Sequence, residues 1–157
     1  MNTAPCPAAA IRSLLLVALM AGSSAVASEP APSRVDVLFF HRTFRCPDCL
    51  HMEAYAAEAV AARPTERDAG RLGFRAFNLD VGDHSQYSER YGVETSAVVL
   101  SQVTDGQETA WTNLPLVWQL VENRQNFMAY LDMEISGQLD QLFDPAEPTT
   151  PVQKESP

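Results

Sequence analysis

Lysine is almost missing from this chain. Of the 11 cationic side chains in its 157 residues, ten are arginine and one, Lys154, is lysine. That leaves almost no side-chain amine and sets Schiff-base mechanisms aside. Positive charge as a whole is scarce: 11 Lys plus Arg stand against 20 Asp plus Glu, for a formal net charge of −9. An acidic chain repels phosphate backbones, so nucleic acid is all but excluded as a partner. No apolar run reaches the roughly 20 residues that a bilayer-spanning helix needs. There is no Gly-x-Gly-x-x-Gly and no phosphate-binding loop motif, so a bound nucleotide is not expected. The acids are scattered, with no defensible pair for glycoside hydrolysis. Cysteine is rare as well, and its count of three is odd.

The amino terminus accounts for the odd cysteine. Ser13–Met20 (SLLLVALM) is a short apolar run preceded by Arg12, and small residues lead from it into Ala25-Val26-Ala27. This is the pattern of a secretory signal peptide over residues 1–27, cut after Ala27. Cys6 lies ahead of the apolar run and would leave with the peptide. The exported chain, periplasmic or secreted, then holds only Cys46 and Cys49, with no stable membrane span. Removing Arg12 leaves 10 cations against 20 acids.

Residues 28–33 (SEPAPS) read as a linker. At the other end, residues 144–157 (DPAEPTTPVQKESP) carry four prolines and almost nothing apolar. Such a segment cannot bury enough surface to offset its ordering entropy, and a disordered tail is expected. Between them, residues 34–143 read as one α/β domain. Val35–Phe40 (VDVLFF) is an apolar run suited to a strand covered on both faces. Pro47–Ala62 is rich in helix formers, with Pro47 fit for the first helical position and Pro64 as a stop. Leu72–Leu79 reads as a second strand. Asp80–Tyr91 reads as a loop and short helix closed by Gly92, and Ala97–Val103 as a third strand. Asp105-Gly106 is a hairpin turn into a fourth strand, Glu108–Thr112. A long helical segment follows, from about Leu114 to Phe143. Leu116, Leu120, Phe127, Leu131 and Ile135 mark its apolar face, with a bend or split expected at Asn123–Asn126. Trp111 and Trp118 read as core and helix-packing residues. The order β-α-β-α-β-β-α, with a right-handed crossover between the first two strands, points to a thioredoxin-like fold with a central mixed sheet of about four strands.

Chemistry concentrates at Cys46-Pro47-Asp48-Cys49, which follows the buried strand and opens the helix. Cys46 falls near the N-cap, where unpaired N–H groups stabilise an anion. That placement is worth up to about 2 kcal/mol, or roughly one and a half pKa units. Arg45 and Arg42 push the same way, and Asp48 opposes them. Three readings are open. A structural disulfide would close only a four-residue loop, worth roughly 2 kcal/mol. A metal site could draw on Cys46, Cys49, His41 and His51, although Cys49 and His51 are two apart and point to different sides of a helix. Thiol–disulfide redox needs only the Cys46–Cys49 pair as its redox-active disulfide and no other cofactor. In that reading Cys46 is the nucleophile and Cys49 the resolving thiol. His41, at the strand end, is placed to relay a proton or to raise thiolate content. Leu50, not histidine, follows Cys49, which argues against c-type haem attachment.

The stretches FFHRTFRCPDC, FNLDVGDHSQYSERYGV and SAVVL resemble the thioredoxin superfamily over Val35 to about Leu142; Asp80, Tyr91, Gly92 and Val93 match its D…YG[IV] pattern. A narrower resemblance is to small exported thioredoxin-like proteins of the ArsF family, described as a nitrophenyl compound nitroreductase subunit. There a YFHRTxRCxTC pattern recurs with a later W..L..VW.L block, seen here as LFFHRTFRCPDC and Trp111–Trp118. The resemblance implies a redox role for Cys46 and Cys49 and marks His41, Arg42, Thr43 and Arg45 as motif members. It implies a protein thiol/disulfide partner or a reductase complex linked to nitro compounds or arsenic. It also implies that the loop before the third strand, with Thr95 and Ser96, faces Cys46. Two departures stand out. That loop reads Val93–Ala97 without the proline of thioredoxins, and Phe40 occupies the place of their buried acid six residues before the first cysteine.

Overall fold

A computed structural model describes residues 32–144 of the chain; the expected signal peptide, most of the expected linker and residues 145–157 lie outside the described residues. Strand β1 (Arg34–His41) leads through a five-residue segment into helix α1 (Pro47–Ala61) and the short α2 (Pro64–Asp68). Strand β2 (Leu72–Asn78), a 3-10 turn (Gly82–Ser85) and α3 (Gln86–Tyr91) follow. A β3–β4 hairpin (Ala97–Thr104, Gln107–Asn113) comes next, then α4 (Val117–Leu120) and α5 (Arg124–Phe143). The strands form one sheet in the order β2-β1-β3-β4. β1 and β2 are parallel, and β3 runs antiparallel to both β1 and β4. A parallel βαβ unit joined edge to edge with a ββα unit is the thioredoxin-like arrangement. Pro64 stops α1 as expected but also starts α2, where its missing N–H costs nothing.

β1 is central and buried on both faces, which its unbroken apolar sequence requires. Val35, Val37 and Phe39 face α1 and α5, where they join Met52, Ala56, Phe127, Leu131 and Ile135 in one core. Leu38 and Phe40 face the other way, onto Tyr91, Val93 and Val99. Asp36 interrupts this second face. At 3% exposure it is the only buried charged residue among the described residues, and it is paired to Arg34 and Arg75. Gly73, its register partner on β2, makes room: a Cβ there would lie 2.6 Å from Asp36 Oδ1.

The hairpin turn is as read, with Asp105 and Gly106 both at positive φ, 53° and 78°. The carboxy-terminal helix is split at the polar stretch. Asn123 caps α5, its side chain accepting from the Asn126 N–H at 3.1 Å. The expected apolar face therefore needs correcting at its start. Leu116 precedes α4 and is exposed, and the α5 face runs on through Phe127, Leu131, Ile135 and Leu139. Trp111 and Trp118 are not core residues either; both are about two-fifths exposed.

On the α3 face, Glu108 of β4 gathers three donors. It accepts from Tyr91 Oη and Ser101 Oγ, each at 2.6 Å, and from Arg90 Nε at 3.0 Å. Burial pushes its carboxyl up, but the bonds from Ser101, Tyr91 and Arg90 outweigh this and hold it below the ordinary value of 4.5. A depressed folded-state carboxyl contributes stability that is present above pH 4.5 and is lost as pH falls through the lower native value. Glu108→Gln is therefore expected to cost about 1–3 kcal/mol at pH 7. The gap from wild type should narrow as pH is lowered below 4.5, as read by urea unfolding of both proteins at neutral and acid pH.

Candidate functional site

The site begins where β1 ends. His41 is the last strand residue, and Arg42, Thr43 and Phe44 then run exposed across the sheet end to Arg45 and Cys46. Phe44 is 93% exposed, so this segment has no apolar anchor. Its polar groups hold it. Thr43 donates its N–H to Asp80 Oδ2 at 2.7 Å, and Arg42 Nε lies 2.9 Å from Asp80 Oδ1. Asn78 Nδ2 donates to Thr43 Oγ1 at 3.0 Å, while the Asp80 N–H donates to Asn78 Oδ1 at 3.0 Å. The bond from the Thr43 N–H is the main reason the Asp80 carboxyl is held below its ordinary value, with Arg42 adding to it.

Cys46 is the N-cap of α1, with extended backbone (φ −78°, ψ 164°), and Pro47 follows in the first turn. The backbone N–H of Cys49 donates to Cys46 Sγ at 3.1 Å. A sulfur here takes the place of the usual capping oxygen and accepts one of the orphan donors of the helix start. Cys46 and Cys49 are disulfide-bonded, with Cα atoms 5.0 Å apart. Their surroundings differ. Cys46 is partly exposed, whereas Cys49 is 7% exposed and begins the buried stripe that continues through Met52, Ala56, Ala59 and Val60. An incoming thiolate therefore reaches Cys46 and not Cys49.

The other residues singled out in the sequence take these places. Arg45 pairs with Glu53 on α1, and its guanidinium carbon lies 5.8 Å from the centre of the Phe39 ring. Arg42 is paired with Asp80, so both cations near the pair already face a carboxylate. The nearest anion stabiliser of Cys46 is then the Cys49 N–H. Asp48 is exposed in the first helical turn. His41 stacks on Phe39 at 6.0 Å, and its Nδ1 lies 2.9 Å from the Arg42 carbonyl, which can only accept; Nδ1 therefore carries the proton. His51 stacks on Tyr55 along the outer side of α1. Among the described residues no three His, Cys, Asp or Glu side chains converge as a metal site. His41 and His51 are engaged elsewhere, and the two sulfurs bond each other. Phe40, where thioredoxins have their buried acid, packs on the opposite face against Phe77, Tyr87 and Tyr91.

The pairing of Phe40 with Ala97 places the loop before β3 at the same sheet end as His41. In that loop Thr95 is exposed and Ser96 is buried. Trp118 Nε1 donates to the Ser96 carbonyl at 2.8 Å. The loop and α4 line a cleft of about 180 Å³, walled by Leu114, Pro115, Val117 and Trp118. Asn78, Asp80, Glu53 and Trp118 are not among the site residues expected from the sequence. For the first two a signal was available: the N–H of a loop residue such as Thr43 needs an acceptor, and Asp80 is the acid of the D…YG pattern.

No protein-family model matches the chain, and no curated protein matches it. Among solved structures, the chain is similar to thioredoxin O2 from Arabidopsis thaliana in its oxidized state, at 15% identity, over 60% of this chain and 76% of that chain, with a TM-score of 0.36. The strand order is that of a thioredoxin-like fold, with a CxxC disulfide at the start of α1, the helix that follows β1.

The Arg45–Glu53 pair makes a prediction. Glu53→Gln leaves the Arg45 charge uncompensated and should move alkylation of reduced Cys46 to lower pH. Arg45→Glu should move it to higher pH. Each shift is expected at a few tenths of a pH unit, the scale of a partly exposed charge pair, measured by rates of iodoacetamide modification against pH.

Proposed function

We propose that the chain is an exported thiol–disulfide redox protein. One observation carries the reading: a partly exposed sulfur caps a helix and receives its N–H at 3.1 Å, while its disulfide partner is buried one turn on. A helix start lowers a thiol's pKa and so raises its thiolate fraction, and a buried second thiol serves to resolve an adduct rather than to make one.

The step balances as an exchange of two electrons. A thiolate of the partner attacks Cys46 Sγ, the Cys46–Cys49 bond breaks, and Cys49 leaves as a thiolate. A second partner thiol then attacks the mixed disulfide, so the partner is oxidised and this chain holds two reduced cysteines. Run backwards, Cys46 thiolate attacks a partner disulfide and Cys49 resolves the adduct. His41, at the end of β1, is the proton relay in this reading. Thr95 and Ser96 form the loop across from the sulfurs. Arg42, Arg45 and Asp48 set the charge around them. The HRTxRCxxC motif supports a finer proposal, in which the partner is a reductase complex acting on nitro compounds or arsenic species.

Cys49→Ser is expected to trap a mixed disulfide between Cys46 and its partner, and Cys46→Ser to trap none. A nonreducing gel followed by mass spectrometry reads both. Failure of Cys49→Ser to form any adduct while wild type turns over would sink the redox reading. The reduction potential sets the direction: about −270 mV marks a reductant and about −120 mV an oxidant.

A further inference from the structure

We propose that Asp80, with Asn78 beside it, is a positioning residue that sets the reduction potential of the Cys46–Cys49 couple. It does so by clamping the segment that carries Cys46 onto the end of β2. The inference rests on the redox reading above and concerns how the site is tuned.

The two sulfurs sit on different supports. Cys49 is fixed on α1, buried along a stripe that includes Met52 and Ala56. Cys46 ends a segment whose Arg42, Thr43 and Phe44 are all exposed and which packs nothing into the core. On the β2 side it is held by the pair of carboxylate bonds at Asp80 (2.7 Å to the Thr43 N–H and 2.9 Å to Arg42 Nε), buttressed by Asn78, while Arg45 at its far end pairs with Glu53 on α1. Asn78 and Asp80 follow directly from the strand that pairs with β1, and the Leu79 N–H between them donates to the His41 carbonyl at 2.8 Å. The clamp thus ties the segment that leads to Cys46 to the end of β2, while Cys49 is held on α1.

The consequence is thermodynamic. How readily two thiols close to a disulfide depends on their effective concentration. In the disulfide the covalent bond itself restrains Cys46. In the dithiol that bond is gone, and the clamp restrains Cys46 together with the helix-start bonds of α1 and the Arg45–Glu53 pair. Releasing the clamp gives freedom mainly to the reduced state, lowers the effective concentration of Cys46 at Cys49, and makes the disulfide easier to reduce.

The test equilibrates the full exported chain with defined ratios of reduced and oxidised glutathione and reads the fraction of Cys46–Cys49 disulfide. Asp80→Ala is expected to lower the equilibrium constant for disulfide formation about three- to tenfold, a rise of up to about 30 mV in potential. The variant Asp80→Asn keeps an acceptor for the Thr43 N–H and removes the carboxylate charge, and it should stay within about twofold of wild type. Circular dichroism checks that each variant is folded. An unchanged constant in folded Asp80→Ala, or a shift toward a more stable disulfide, overturns the clamp. So does an Asp80→Asn variant that behaves like Asp80→Ala, since the effect would then be one of charge. Should Asp80→Ala fail to fold, Asn78→Ala decides in its place, expected to lower the constant at least twofold; no change there overturns the proposal. A wild-type pair that does not exchange with glutathione at all would instead count against the redox reading.

Discussion

Everything at the site depends on the burial of β1 on both faces. Val37 and Phe39 are held by α1 and α5, while Leu38 and Phe40 are held by Tyr91 and Val93. A strand gripped from both sides has little freedom to shift in register, because a slip by one residue would exchange its two apolar sets. Its pairings to β2 and β3 therefore fix where His41 falls, and with it the place from which the chain departs toward Cys46. The cost of this design appears at Asp36, a carboxylate in a strand with no exposed face. Two arginines and a glycine opposite are needed to accommodate it.

Beyond His41 the governing physics changes from apolar packing to polar satisfaction. The segment to Arg45 has no buried apolar side chain, so its order comes from hydrogen bonds and ion pairs to groups far away in sequence: Asn78 and Asp80 after β2, and Glu53 on α1. The motif HRTFR is then intelligible residue by residue. His41 ends the strand, Arg42 and Thr43 engage Asp80, and Arg45 engages Glu53. Phe44 is left facing solvent beside the disulfide. Cys46 itself accepts from the Cys49 N–H at its sulfur and from the Leu50 N–H at its carbonyl.

The parts of this arrangement that were legible in the sequence are those governed by local rules. An apolar run marked β1, Pro47 marked the helix start, Asp105-Gly106 marked the hairpin, and Cys46 fell where an N-cap belongs. The cysteine pair and the four-strand mixed sheet followed. Contacts made across the fold were not legible. Leu116 matched a helical period but lies ahead of α4, and Trp111 and Trp118 are half exposed where bulk alone had placed them inside. The pairing of Arg42 and Arg45 with carboxylates 38 and eight residues away changes them from free cations near a thiol into compensated ones. No spacing rule announces a partner at that distance, because the sheet and not the local chain brings it there.

The split in the carboxy-terminal helix bears on the loop before β3. That loop has no proline to stiffen it, yet it is pinned at three points. Gly92 takes the left-handed conformation at φ 63°, which lets α3 end and the chain turn. Val93 is buried and its N–H donates to the Ser88 carbonyl at 3.1 Å. The indole of Trp118 then closes the far end on the Ser96 carbonyl. A helix running unbroken from Leu114 would hold Trp118 to the direction of α5. The break at Val121–Asn123, stabilised by Asn123 as a cap, frees α4 to lie under the loop. Asn123 in this way supports the loop from a distance, by starting α5 late enough for the tryptophan of α4 to hold the Ser96 carbonyl.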